Sequence, residues 1–320
     1  MNPSRANAAM LAQLPLARYR LEFEVKTPLH LPEYAGSTLR GAWGAALRAS
    51  SCMTRQPVCD GCPLLSTCPY AVIFETRPPT DRAPSLQDFS QVPKPYVIEP
   101  PQLGARDYRP GEQLNFHIVL AGRALHQLPL ILWAHVRAFR RGVGKGDGTA
   151  ELLRVVHVGE ADTVVLEGPE GALETHEHAL PPAPILGEAI TLRFTTPLRL
   201  QTNGRRATVA EHTARKLLMG LVRRIALICE FHGAEPLDLD FAELARRAEG
   251  IESQQKLHWQ DWARYSNRQQ RKMNLGGVVG EWRLKGDLAP FAPFLHLGQW
   301  LHVGKEATFG LGGYHLIFDS

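Results

Sequence analysis

The chain has 320 residues, a formal net charge of +4, and 44% apolar against 21% charged residues. That length supports a sizeable core and two domains, and so small an overall charge argues for no particular partner. No apolar run is long enough to span a bilayer, and positions 1–13 lack the charged start and apolar stretch of a signal peptide, so the expectation is a cytoplasmic protein with no membrane partner.

Residues 19–25 alternate apolar and charged and predict a half-buried strand. Thr27-Pro28-Leu29-His30-Leu31 leaves it. Ser37 or Thr38 is the expected cap of a helix over residues 39–48, with Leu39, Trp43, Ala46 and Leu47 on one face. Gly41 and Gly44 suit close packing there. Four of the five cysteines follow between positions 52 and 68, and the fifth, Cys229, sits in a helical pattern as a small buried hydrophobe. Residues 76–110 are rich in proline and read as an irregular crossing. A strand over 114–120, a helix over 128–141, the turn Val143-Gly144-Lys145-Gly146-Asp147-Gly148 and a strand over 151–158 complete the first half. Acidic residues 159–187 read as a long insertion, in which His176-Glu177-His178 is a surface segment rather than a metal motif.

The second half opens with a strand over 190–195 and Thr196-Pro197-Leu198-Arg199-Leu200. A helix over about residues 208–231, strands around 278–284, a turn at Gly286-Asp287 and a short helix near 291–297 follow. The chain then reaches a glycine-rich loop, with Gly304, Gly310, Gly312 and Gly313 close together, and a last strand. Thr-Pro-Leu-x-Leu occurs in both halves, starting at Thr27 and at Thr196, and Val-Gly-Lys recurs at Val143 and Val303. Two short matches in one order and at similar offset indicate an internal duplication. Each half then reads as β-α-β-β-α-β, so the predicted class is α+β. Tandem ferredoxin-like (RRM-like) domains span 14–187 and 188–320, with a cysteine-rich loop inserted in the first. No RNP-type aromatic run is present, so base stacking on the sheet is not supported.

The final loop lacks the Gly-Lys-Ser/Thr of a Walker motif. Its glycines permit positive φ, and successive free amides can cradle an anion. Gly304, Lys305, Gly310 and Gly312 are therefore candidate RNA contacts. Basic residues cluster in the same half: Arg199, Arg205, Arg206 and Lys216 around one acid, Glu211, and then Arg264, Arg268 and Lys272 interleaved with aromatics. Cations for phosphates beside rings for bases suit a single nucleic-acid strand, whereas each run alone would be an ordinary solvated face. Cys52-x6-Cys59-x2-Cys62-x5-Cys68 puts four soft ligands in one loop, which fits structural zinc or an iron–sulfur cluster. Cleavage of RNA without a metal needs a base, a cation and an acid. Candidates are His30, Tyr34 and Arg40 near the first repeat and His302 near the last loop.

Several passages together resemble the CRISPR-associated precursor-RNA-processing endoribonucleases of the RAMP superfamily. They are Gly36-Ser37-Thr38-Leu39-Arg40-Gly41-Ala42-Trp43, the cysteine loop closing with Cys68-Pro69-Tyr70, Arg264-Tyr265-Ser266-Asn267-Arg268-Gln269, and the glycine-rich end. The resemblance implies a tandem ferredoxin-like fold and cutting of CRISPR repeat RNA by 2′-OH attack without a metal. Its products would be crRNA with a 2′,3′-cyclic phosphate and a 5′-hydroxyl. In that family a His often follows the first strand, where His30 falls, and the glycine loop takes part in RNA binding. CRISPR effector-complex subunits are further expected partners. A non-catalytic RAMP subunit that binds crRNA is the alternative reading.

Overall fold

The structure, a computed structural model, describes residues 11, 13–76, 92–101, 104–178, 180–181, 183–202, 204–261, 263–266, 271–274 and 276–318. Packing divides the chain into two compact units: Pro15–Pro181 with Phe231–Ala234, and a second that includes Pro182–Glu230 and Glu235–Ser320.

In the first unit the chain order is β1 (Leu16–Val25), β2 (Leu29–Leu31), α1 (Gly36–Ser51), α2 (Pro69–Ile73), β3 (Tyr96–Glu99), β4 (Arg106–Tyr108), β5 (Gln113–Ala121), α3 (Leu128–Arg141), β6 (Ala150–Val158) and β7 (Thr163–Glu167). The main sheet has the order β3-β5-β1-β6-β7. Its first four strands, with α1 and α3, are the ferredoxin-like arrangement, and β7 extends the edge. The predicted "irregular crossing" therefore holds a core strand, β3, and the predicted insertion holds β7. A strand as short as β3 carries too little alternation to stand out between prolines.

The core lies where the helices cover this sheet. Phe23, Phe116 and Phe139 stack together, and Trp43 packs on His135 with ring centroids 5.1 Å apart. Burial pulls His135 down to about 4, so it is neutral and structural. Helix α1 begins at Gly36, earlier than expected, with Ala35 as its cap residue and no side-chain cap bond. Ser37 and Thr38 thus lie inside the helix. Gly44 permits the close packing expected of it, since a Cβ there would fall 2.3 Å from the Phe74 ring; Gly41 faces open space. His176 and His178 lie against Tyr19, whose hydroxyl is 2.8 Å from His176 Nε2, so this segment is partly packed rather than free in solvent.

In the second unit the order is β8 (Ala189–Leu198), β9 (Gln201–Thr202), β10 (Arg205–Arg206), α4 (Ala214–His232), α5 (Phe241–Glu249), β11 (Glu252–Gln260), β12 (Ala263–Ser266), β13 (Arg271–Asn274), β14 (Gly277–Lys285), α6 (Ala292–Leu301) and β15 (Tyr314–Ile317). The sheet order β11-β14-β8-β15 repeats the ferredoxin-like order of the first unit. The long helix predicted over residues 208–231 is two pieces. Thr208 and Glu211 form a capping box on a short 3-10 turn, and α4 starts afterwards. Arg224 is half-buried in α4 and donates from Nε to the Leu301 carbonyl at 2.9 Å. Burial pulls its guanidinium down to about 10.

In both units the same three hydrogen bonds join the two repeated segments, and a fourth closes the glycine loop. The amides of Lys26 and Thr195 donate to the carbonyls of Thr149 and Gly313 at 2.8 and 3.0 Å. The amides of Thr149 and Gly313 donate to Oγ1 of Thr27 and Thr196, both at 2.8 Å. The amides of Val143 and Val303 donate to Gly148 and Gly312 at 2.8 and 3.1 Å, closing each glycine loop on itself. Finally, the amides of Lys145 and Lys305 donate to the carbonyls of His30 and Arg199 at 3.2 and 2.9 Å. Gly144 and Gly304 have φ of +82° and +90° and press against those last two carbonyls. The motif pairs are thus the two sides of one latch, formed once per unit.

Glycine is required where the latch is tightest. At Gly312, φ is +70° and a Cβ would sit 1.8 Å from the Val303 carbonyl oxygen, whereas Gly146, at φ +88°, has open space around it. Gly312→Ala is expected to lower unfolding free energy by ~2–4 kcal/mol and Gly146→Ala by only ~1 kcal/mol. Urea unfolding of the two variants measures the difference.

Candidate RNA-processing site

The first latch presents His30. Leu29 and Leu31 on either side are buried, and strand alternation turns His30 outward. Its Nδ1 lies 2.6 Å from Oδ1 of Asp107, its direct partner on β4. On the other side of β2 its backbone bridges to Lys145. Sequence reasoning named His30 but missed Asp107 and the position of Lys145. The recurrence of Val-Gly-Lys was a usable signal for Lys145, whereas Asp107 lies in a stretch read as irregular.

The other three proposed catalytic groups sit differently. Tyr34 is buried. Arg40 donates from Nε to the Tyr96 hydroxyl at 2.8 Å and lies 4.1 Å over the Phe74 ring, where it holds α1 to the core. His302 is buried at the end of α6, with Nδ1 3.2 Å from the Leu311 carbonyl. Tyr34 and His302 are thus enclosed, and Arg40 is half-buried.

The second latch presents Arg199. Its Nε and Nη1 are buried and have no hydrogen-bond partner among the described residues. Burial, with Arg206 close by, pulls its guanidinium below the ordinary value, and Glu306 opposes this. Arg206 lies 5.5 Å over the Trp259 ring. A partly enclosed guanidinium with two unpaired nitrogens, near a second cation that lies over an indole, has the chemistry to attract an anion beside a stacking surface. Lys216 is close to the same strand end, donating to Thr202 Oγ1 and to the Glu211 carbonyl, both at 2.9 Å. Arg205 is already forked onto Glu211, and with the Thr208 amide it holds that carboxyl down at about 2. Its charge is paired locally with that carboxyl at an exposed position.

The glycine loop is also more structural than expected. The amides of Lys305, Gly310, Gly312 and Gly313 all donate inside the protein, to Arg199, Ala307, Pro197 and Thr196 respectively. Gly304, Gly310 and Gly312 do take positive φ, but they build a buttress rather than an open cradle of free amides. The Lys305 side chain remains exposed. Arg264 lies on β12 and Lys272 on β13, a short antiparallel hairpin; Arg268 lies outside the described residues.

The cysteine loop runs from the end of α1 to the start of α2. Arg48 ties it down through the carbonyls of Gln56 and Pro57. Cys52, Cys59, Cys62 and Cys68 line one pocket, and all are free thiols. Four sulfurs around one space fit a soft metal by donor chemistry. As they stand, however, no three Cys, His, Asp or Glu groups among the described residues are arranged to hold a metal ion.

Two ferredoxin-like units in one chain, each with a glycine latch at the end of its first strand, define a tandem ferredoxin-like protein. The family model AF_1859_N, an N-terminal domain, matches residues 14–178, and the model of the CRISPR-associated endoribonuclease Cas6 matches residues 192–314. The chain belongs to the family of that N-terminal domain, and its second half is similar to Cas6. No curated protein matches it. Among solved structures, a Cas6 product complex matches with a TM-score of 0.57 at 18% identity, covering 94% of this chain and 100% of that one. Thermus thermophilus Cas6 matches with a TM-score of 0.52 at 17% identity, covering 95% and 99%. A partial Cas6-RT-Cas1–Cas2 complex matches with a TM-score of 0.54 at 17% identity, covering 96% of this chain and 46% of that one. Among the described residues no helix is long and apolar enough to cross a membrane.

Burial separates the cysteines. Cys229 is enclosed in α4, and burial pushes its thiol up to about 12, while the four loop cysteines are partly exposed. In metal-free native protein a colorimetric thiol reagent is expected to titrate four groups quickly. The fifth should appear only after denaturation.

Proposed function

We propose that this chain cuts CRISPR repeat RNA by internal transesterification, with His30 as the base. His30 removes the proton from a 2′-hydroxyl, and the 2′-oxygen attacks the adjacent phosphorus. The products are crRNA with a 2′,3′-cyclic phosphate and a new 5′-hydroxyl. The observation that carries this reading is the exposed imidazole of His30, held by the latch at the end of the first strand of a protein whose second half is similar to Cas6. No metal is needed for such a step, because the nucleophile is part of the substrate and protein cations stabilise the phosphorane.

Arg199, Arg206 and Trp259 form the anion-and-stacking surface that holds the RNA strand in this reading, with Lys216, Lys305, Arg264, Arg268 and Lys272 adding charge. The four cysteines hold a structural zinc, with an iron–sulfur cluster as the alternative occupant. The metal would fix a loop that has little core of its own. Support for this is the shared pocket. Partners are CRISPR repeat RNA and CRISPR proteins, a reading supported by similar structures solved as a Cas6 product complex and as a partial Cas6-RT-Cas1–Cas2 complex.

Incubation with labelled repeat RNA from the same locus, in EDTA, tests the chemistry. A single cut is expected, abolished by one 2′-deoxy nucleotide at the cut site and by His30→Ala, with RNA affinity retained in the variant. Tight binding without a cut would make this a non-catalytic crRNA-binding subunit. For the binding surface, Arg206→Ala is expected to weaken RNA affinity about 10-fold and to reduce the slope of log affinity against log salt by about 1. An unchanged slope would put the RNA elsewhere.

A further inference from the structure

Strand β2 has a neighbour on each side of His30. Asp107 on β4 is directly opposite it in the antiparallel register, and Lys145 bridges to it from the glycine loop. Directly opposed residues of antiparallel strands project to the same face. Leu29 and Leu31 are buried while His30, Asp107 and Lys145 are all exposed, so this is the outward face. Acid, imidazole and ammonium therefore stand in a row across three adjacent segments that are far apart in sequence.

The bond between Asp107 and His30 has a chemical consequence. An ionised carboxylate only accepts, so the 2.6 Å contact makes Nδ1 the protonated ring nitrogen. The neutral ring then carries its lone pair on Nε2, the nitrogen a general base must use. Lys145 has no hydrogen bond or ion pair from its side chain among the described residues, and so no competing carboxylate neutralises it.

Building on the reading of His30 as the base, we infer that Asp107 is its positioning residue and that Lys145 is the catalytic acid for the leaving 5′-oxygen. In the step, His30 Nε2 takes the 2′-hydroxyl proton and a bond forms between the 2′-oxygen and phosphorus. The bond from phosphorus to the 5′-oxygen breaks, its electron pair stays on that oxygen, and the oxygen takes a proton from the Lys145 ammonium. Water afterwards removes the proton from His30 and returns one to Lys145. No oxidant, reductant or metal enters the balance.

The test uses the full chain and single-turnover cleavage of repeat RNA in EDTA, with RNA affinity measured in parallel. Asp107→Asn keeps shape and removes the charge. It is expected to slow cleavage roughly 10-fold or more at unchanged affinity. In nitrogen-resolved NMR it should convert His30 from the Nδ1–H form to a mixture of tautomers, which a purely structural role for Asp107 would not do. Lys145→Ala is expected to slow cleavage of ordinary RNA by roughly 100-fold. On RNA carrying a bridging 5′-sulfur at the cut site, whose thiolate leaves without a proton, the same variant should regain nearly the wild-type rate. Wild-type rate and tautomer in Asp107→Asn would overturn its role. An equal loss on oxygen and sulfur substrates would overturn Lys145 as the acid. Both outcomes are read against His30→Ala: if that variant cuts normally, the base assignment itself has failed, and the inference with it.

Discussion

The structure depends on one repeated backbone contact. In each unit a threonine hydroxyl, two carbonyls and three amides join the end of the first strand to a glycine loop that leads into the last strand of that unit's ferredoxin-like core. Central strands of a ferredoxin-like sheet end together, and chain ends leave backbone groups without a ladder partner. An unpaired amide or carbonyl in a buried position is costly, so the loop must supply the missing partners. It can do so only by bringing its own backbone against the strand end, where a Cβ would collide. That is why Gly144 and Gly304 stand there with positive φ, and why Val, Gly and Lys recur at the same place.

The same frame is put to two uses. In the first unit the loop is short, closing between Val143 and Gly148, and the residue between the two leucines is His30, turned outward beside two other exposed polar groups. In the second unit the loop from Val303 to Gly312 is longer. It packs Phe309 and Leu311 into the unit, and the equivalent residue is Arg199, partly enclosed. A longer loop covers the strand end and shields its charge; a shorter one leaves the face open. An open imidazole suits proton transfer. An enclosed guanidinium without a partner suits a phosphate. The duplicated latch thus gives two rigid mounts with different chemistry, in a chain whose fold matches its structural neighbours despite identities of 17% and 18%.

Much of this was legible in the chain itself. The alternation over residues 19–25 and the apolar period over 128–141 mark a core strand and a core helix, and the latter's bounds coincide with α3. The paired motifs pointed to a duplication, and the bonds between them account for their recurrence. Other features were not legible. Strand β3 is short and flanked by prolines, so no period could declare it. Arg40 and His302 read as reactive groups because Arg and His are the residues that do such chemistry, yet one is stacked on Phe74 and the other is enclosed at the end of α6. Composition cannot separate a buried histidine from an exposed one.

By itself the sequence determined the α+β class, the duplicated order of elements and the residue types from which a site could be built. Those follow from local periodicity and from short motifs, which are properties of neighbouring residues. Only the tertiary structure decided which of the 13 histidines stand in the open, His30 among them, and what stands beside His30. His30, Asp107 and Lys145 come from three separate stretches of the chain. They meet because strand register, set by burial of the alternate leucines, brings those segments edge to edge. A one-residue slip in that register would turn His30 into the core, and no local pattern in the chain carries that information.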